Sequence, residues 1–278
     1  MLKTFLKGGL LGTCIALASC AVAPGAPMAS AEGDNRETNA ATESPFEAVA
    51  IDYAASDPVL GFVDSRPMTT LNGEWNIIVD PMGVGDPGGF FGGFVKAEEP
   101  STPYDLIEYN FANSPTINVP GDFNTQDERL FFYQGRVWYS RKFSASPADG
   151  QRQHLWFGGA NFKTTVFLNG EAVGEHEGGY VPFSFDVTDM LSPGENTLVV
   201  RADNRLTADT VPTLRTDWWP YGGLTRDVAL IQTPDAFIRN TRIALSDRAS
   251  RTITAEIQTE NVDTGQIATV SIPELGAS

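Results

Sequence analysis

An apolar–polar alternation with a period of two runs through the middle of the chain. In residues 137–143, Val137, Tyr139 and Phe143 share one face of an extended segment, while Trp138, Ser140 and Lys142 share the other. Leu155, Trp156 and Phe157 make a further short strand. Residues 165–168 and 171–173 flank Asn169-Gly170, a dipeptide that readily adopts the positive φ angles of a two-residue hairpin. Residues 181–187, 197–202 and 227–232 complete this set, and Leu71-Asn72-Gly73-Glu74-Trp75 reads as a turn entering a strand over 71–79. No convincing amphipathic helix follows the first twenty residues. Many short strands punctuated by turns predict an antiparallel β-sandwich or jelly roll. After Pro234 the pattern restarts in 238–245, 252–259 and 268–272. These resemble the opening strands of a second sandwich, too few for an immunoglobulin-like one, which needs roughly seven.

The two ends of this pattern set the expected organisation. Lys3 and Lys7 precede a short apolar run over 8–18, and the segment ends Leu17-Ala18-Ser19-Cys20. That ending resembles the lipobox of bacterial lipoproteins, which implies cleavage before Cys20 and lipidation of its thiol; the rival reading is an ordinary secretory signal. Residues 21–47 are rich in Ala, Pro, Ser, Gly, Glu and Asn and read as a tether. The expected units are therefore a signal over 1–20, a linker over 21–58, a sandwich over 59–234 and the beginning of a second sandwich over 235–278. With 41 % hydrophobic residues among 278, one good core can be buried. A formal charge of −16 argues against a nucleic-acid partner. Of the two cysteines, Cys14 lies in the segment to be removed, so no disulfide is expected within a mature chain.

Candidate chemistry gathers in residues 216–228. Asp217 is followed by Trp218 and Trp219, then Pro220, Tyr221, Gly222, Gly223 and, further on, Arg226. Pro and Gly make this a loop. A carboxylate can accept hydrogen bonds from sugar hydroxyls, and the rings of Trp218, Trp219 and Tyr221 can cover the C–H face of a pyranose. The alternative is that the rings cap a core and Asp217 only fixes the turn. Residues 83–94 contain a G-x-G-x-x-G string, but Pro87 and further glycines leave no helix to follow it, so a mobile aromatic-bearing loop is expected, either a site wall or an insertion. His176-Glu177-Gly178-Gly179-Tyr180 begins like a zinc-protease motif and lacks its second His. Asp122, Asn124 and Asp127 are the remaining cation-ligand candidates, at a spacing unlike an EF-hand. No metal, cofactor or catalytic carboxylate pair is assigned.

Taken together these segments resemble glycoside hydrolase family 2, the family of β-galactosidases, β-glucuronidases and β-mannosidases. The likeness rests on 71–75, on Gly135-Arg136-Val137-Trp138-Tyr139, on the run from Gly174 through Glu177-Gly178-Gly179-Tyr180 to Phe183, on 194–200 and on 219–228. Residues 175–183 and Asp217-Trp218-Trp219 look nearest to the β-glucuronidase branch. The resemblance implies an all-β chain: a galactose-binding-like jelly roll followed by a truncated immunoglobulin-like sandwich. A (β/α)₈ barrel bearing both catalytic glutamates is expected outside these residues. It further implies that Asp217 contacts a terminal β-linked sugar, with Trp218, Trp219 and Tyr221 split between packing and sugar contact, and that Arg226 anchors the loop through a buried ion pair or carbonyls. The expected function is the substrate-contacting portion of a retaining exo-β-glycosidase, with a stand-alone carbohydrate-binding lipoprotein as the alternative. The expected partners are carbohydrate and, through Cys20, a membrane, and the resemblance allows a homo-oligomer of a full-length enzyme.

Ala21 follows Cys20, so a retention-type Asp is missing and an outer-membrane lipoprotein of the bacterial envelope is expected. Cys20→Ala should then move the protein from the membrane to the soluble fraction and abolish incorporation of labelled fatty acid. Fractionation unchanged by the substitution, with no label in the parent, refutes the anchor.

Overall fold

The computed structural model describes residues 3–4, 53–87, 93–95, 110–146 and 148–271. The expected lipidation site Cys20, residues 21–52 of the expected linker over 21–58, and the glycines at 88, 89 and 92 lie outside the described residues.

Strand alternation builds two facing sheets. β1 is a two-residue strand, Lys3–Thr4. β2 (Met68–Thr70), β3 (Gly73–Asp80) and β4 (Thr116–Val119) come next. They are followed by β5 (Arg136–Ala145), β6 (Gln151–Phe157), β7 (Lys163–Leu168) and β8 (Glu171–Glu177). β9 (Phe183–Asp186), β10 (Gly194–Asp203) and β11 (Val228–Pro234) complete the sandwich. One sheet has six strands in the order β4-β3-β5-β10-β7-β8, the other four in the order β2-β11-β6-β9. Their pairs are antiparallel throughout. Trp75, Tyr139, Val166 and Leu198 project from the larger sheet against Leu155, Phe157, Phe183 and Leu230 from the smaller, and form the core. The expected Asn169-Gly170 turn joins β7 to β8, with φ of 53° and 83°. β2 and β4 carry no legible sequence signal, since β2 is a wholly exposed edge and β4 has four residues.

The larger sheet is buried on both sides, which the alternation does not reveal. Trp138 faces away from the core yet is fully buried, together with Ile78, Phe167 and Val199, beneath Phe94, Val95 and Phe111. Phe94 meets Trp138 edge-on at 5.7 Å, and Phe167 stacks on it at 5.9 Å. The described part of the glycine-rich segment is thus a cover for the sheet. Gly85 is needed there, because a Cβ would lie 2.4 Å from the Phe94 ring. Asp80 ties the cover down, accepting from Trp138 Nε1 (3.0 Å) and from the backbone N–H groups of Val84 (2.9 Å) and Gly85 (3.0 Å). Asp86 adds ion pairs to Arg136 (2.5 Å) and to Arg201.

The chain joins the sandwich earlier than the expected boundary at Val59. Ser56 N–H donates to Glu175 O (3.0 Å) on β8 and Asp57 N–H to Ser184 O (2.9 Å) on β9. Residues 53–57 therefore strap the edges of both sheets together. Beyond Pro234, β12 (Phe237–Asp247) and β13 (Thr252–Glu260) form an antiparallel pair, with β1 parallel to β13. The third expected strand, over 268–272, is not formed in its described residues 268–271.

His154, on the outer face of β6, is fully buried; its Nε2 lies 3.1 Å from Thr233 Oγ1 and its ring 5.4 Å from that of Phe237. Burial pushes the imidazole down to about 4, against the nearby Asp186, which favours the charged form. The unfolded chain, with an ordinary imidazole near 6.5, takes up the proton first. Stability is therefore complete above pH ~6.5 and falls as pH drops toward 4, by roughly 3 kcal/mol in all. Thermal midpoints measured between pH 7 and 4 should show this slope, and His154→Gln, which still offers Thr233 a partner, should flatten it.

Candidate functional site

The chain between β10 and β11, residues 204–227, forms a long loop at one end of the sandwich, and three buried asparagines hold its returning limb. Asn204 donates from Nδ2 to Pro220 O (2.7 Å) and accepts from Gly135 N–H (2.8 Å). Asn124 Oδ1 accepts from Gly222 N–H (2.8 Å) while its Nδ2 donates to Leu130 O (2.7 Å) and Tyr133 O (2.9 Å). Asn161 Nδ2 donates to Tyr221 O (2.6 Å), and its backbone exchanges both hydrogen bonds with Gly223. An amide can donate and accept at once, so each side chain closes two segments together without burying a charge. The paired glycines follow from this closeness. A Cβ on Gly222 would sit 2.4 Å from the Phe123 ring, and one on Gly223, where φ is +121°, 2.4 Å from Tyr139 Oη.

Above this clamp the loop turns outward. Asp217 is exposed, and its carboxylate has no hydrogen-bond or ion-pair partner among the described residues. It does not fix the turn, because the Trp218 N–H is taken by Thr216 Oγ1 (3.3 Å). Trp218 is 75 % exposed and Tyr221 45 %, so both rings are open to a ligand. Trp219 differs. It is half-buried with its ring edge-on to Phe132 at 5.6 Å, and its buried Nε1 lacks an acceptor among the described residues. The candidates thus divide: Asp217, Trp218 and Tyr221 face outward, and Trp219 packs as the loop's wall.

Arg226 departs from expectation. Its side chain is exposed with no ion pair or side-chain hydrogen bond among the described residues, and lies across Gly158 and Gly159, where Cβ atoms would meet its chain at 3.0 and 3.2 Å. Anchoring falls instead to its backbone N–H, which donates to Gly159 O (3.2 Å). The side chain lies on bare glycine backbone, and the neighbouring Asp227 carboxylate is engaged by Asn72 Nδ2 (2.9 Å) without an ion pair to Arg226. Phe131 and Phe132, 47 % and 76 % exposed and edge-on at 4.8 Å, extend the aromatic wall beside Trp219. Sequence reading missed them; the signal was a run of three consecutive aromatics, Phe131-Phe132-Tyr133, without the period of a strand.

Asp203, at the end of β10, carries a buried charge beside the clamp. Burial alone would push its carboxyl up, but hydrogen bonds and charge from Arg205 (2.9 Å) and the charge of Arg136 hold it below the usual carboxylate value. Tyr133, beneath the wall, is raised to about 12 by burial and by Asp80 and Asp203. The calcium candidates are otherwise engaged. Asp122 caps the short helix α1 (Phe123–Gln126) through Thr125 N–H at 2.7 Å, Asp127 pairs with Arg129, and Asn124 belongs to the clamp. His176 stands on β8, where no zinc-binding helix exists, and stacks on Phe183 at 4.1 Å.

The clamp makes a direct prediction. Asn204→Ala strands the Pro220 carbonyl and the Gly135 N–H, each at a cost of about 1–3 kcal/mol. The variant should lose about 2–6 kcal/mol of stability, and amide exchange at Gly222 should accelerate beyond the global change. Exchange at Gly222 that only tracks global unfolding would show that the loop is held by other contacts.

Residues 68–234 match the family model described as "Glycosyl hydrolases family 2, sugar binding domain". The chain is similar to a β-glucuronidase from Paenibacillus borealis, 32 % identical over 179 residues, covering 56 % of this chain and 28 % of the relative. It is also similar to a β-galactosidase from Thermoanaerobacter pseudethanolicus, 30 % identical over 62 % of this chain and 24 % of that protein. Among solved structures it resembles the Bifidobacterium dentium β-glucuronidase complexed with coumarin-3-O-glucuronide. The TM-score is 0.53 at 27 % identity, with 70 % of this chain and 34 % of that one covered. The chain spans under a third of the length of these curated relatives. With its matched region filling the sandwich from β2 to β11, the chain belongs to glycosyl hydrolase family 2 and carries that family's sugar-binding domain.

Proposed function

We propose that this chain is the substrate-contacting portion of a retaining exo-β-glycosidase of β-glucuronidase or β-galactosidase type, and that Asp217 binds a hydroxyl of the terminal sugar. The observation that carries the reading is an unpartnered, exposed carboxylate beside the open Trp218 ring, on a loop whose base is fixed by buried amides. Rigid support matters, because a group that is already in place spends little of its interaction energy on being ordered. The family match supports carbohydrate as the ligand, and the named relatives support a β-linked glycone without deciding between an acidic and a neutral one.

Bond cleavage in this reading belongs to the (β/α)₈ barrel that the family resemblance implies outside these residues. Two carboxyl groups about 5–5.5 Å apart would give the covalent intermediate of a retaining mechanism. Asp217 contributes by binding. Its hydrogen bond strengthens if the sugar hydroxyl becomes more acidic as positive charge develops on the ring. The same proposal places the protein on a bacterial envelope membrane through Cys20.

In the complete enzyme, Asp217→Asn keeps shape and removes charge. A charge-assisted hydrogen bond is worth roughly 1.5–3 kcal/mol, so kcat/KM should fall about ten- to a hundredfold while the thermal midpoint stays put. Normal kinetics with a lowered midpoint would assign Asp217 to the fold.

A further inference from the structure

We propose that Trp156 and Arg226 form a binding site for a sparsely charged acidic saccharide, one sugar carrying a single carboxylate. The two residues line an open groove of about 420 Å³ together with Pro120, Gly158, Pro182 and Thr225. That volume falls in the range of small-ligand sites. Strand register puts Trp156 here: Leu155 and Phe157 point into the core, so Trp156 stands on the outer face of β6 and packs only partly against Ala229 and Ile231. Its ring lies over Gly158, where a Cβ would come within 3.1 Å. Glycine thus leaves ring and backbone in contact and opens the space beside them. Across that space runs the Arg226 side chain, which has no carboxylate partner among the described residues.

The ligand class follows from what the groove offers. A Trp ring that is half-open takes the C–H face of a pyranose, and a free guanidinium takes a carboxylate in a bidentate fork. Asp227 also lines the groove, its Oδ1 already bonded by Asn72 Nδ2 at 2.9 Å, so its remaining acceptor capacity suits a sugar hydroxyl. The formal charge of −16 repels a densely charged polymer. The fit is therefore an isolated carboxylate among neutral hydroxyls. The groove is an inference beyond the Asp217 reading, and either can stand without the other.

The test is titration of this chain with methyl β-D-glucuronide and methyl β-D-glucoside, followed by indole N–H chemical shifts, with circular dichroism as the check on folding. The expected result is saturable binding of the glucuronide that perturbs the Trp156 indole, weakened about tenfold or more by Arg226→Gln. Arg242→Gln, which removes the same charge from exposed β12, should leave it unchanged. Trp156→Ala should weaken both ligands, and Trp156→Phe, which keeps a ring, should retain most of the binding. The proposal is overturned if the parent shows no saturable binding, or if folded Arg226→Gln binds the glucuronide as the parent does. Loss on Asp217→Asn with none on Arg226→Gln would also overturn it, by placing the sugar on the long loop. Because the readout is binding by this chain, failure here leaves the kinetic forecast for Asp217 untouched.

Discussion

The structure at the candidate site depends on one constraint: backbone polar groups that pass close together beneath a loop must each find a partner away from water. Residues 220–224 cross the end of the sandwich against the segments 121–124, 133–135 and 159–162, joined to them by a few backbone bonds and one isolated bridge, Asn161 with Gly223, and by no continuous ladder. Three buried amides, from Asn124, Asn161 and Asn204, bond the backbone groups of Pro220, Tyr221 and Gly222 that these pairs leave over. A carboxylate could accept here but could not donate to Pro220 O or Tyr221 O, and a buried charge would need a counter-ion. Neutral amides with two faces satisfy both demands. Gly222 and Gly223 follow from the same constraint, since the backbones approach too closely for any Cβ.

This arrangement separates stability from display. Packing energy resides below the clamp, in Tyr139, Phe123 and the rest of the core, whereas Asp217 and Trp218 lie above it and contribute few contacts. Exposed rings and an unpaired carboxylate give a fold nothing in return for their lost freedom, so their placement on a fixed base is itself informative. Trp219 marks the boundary, with one edge against Phe132 and its indole nitrogen buried. A second example of the same logic is Asp80. It sits under the glycine-rich cover and receives three donors, so the outer face of the larger sheet is closed by a loop in place of a helix.

Much of the sandwich was legible because period-two alternation reports directly on burial. Val137, Tyr139 and Phe143 do face the core, and Asn169-Gly170 does turn the hairpin. The rule fails where burial is two-sided: Trp138 reads as an outward residue and is buried by a segment of low sequence regularity. It also fails for β2 and β4, whose shortness leaves no period to detect. At the site, the sequence showed that Asp217, Trp218, Trp219 and Tyr221 belong to one loop, because loop chemistry is local. It could not show which ring is open, since that depends on Phe132, far away in the chain. Nor could it show that Arg226 stands free, because its surroundings are set by Gly158 and Gly159 on another strand's end.

Arg226 and Asp217 carry opposite charges on the same loop and are not paired in the structure. Two exposed ions within reach would gain little from pairing, because water and salt already screen them and the long side chain would lose freedom. Eight residues of loop and the clamp among them lie between the guanidinium, on the glycine backbone beside Trp156, and the exposed carboxylate next to Trp218. Each charge thereby shares its stretch of surface with a partly or fully open aromatic ring. Ring plus acceptor and ring plus cation are complementary ways of holding a sugar, one through hydroxyls and the other through a carboxylate. The same clamp that fixes the loop's base keeps the two from neutralising each other, and so preserves both as sites for a ligand.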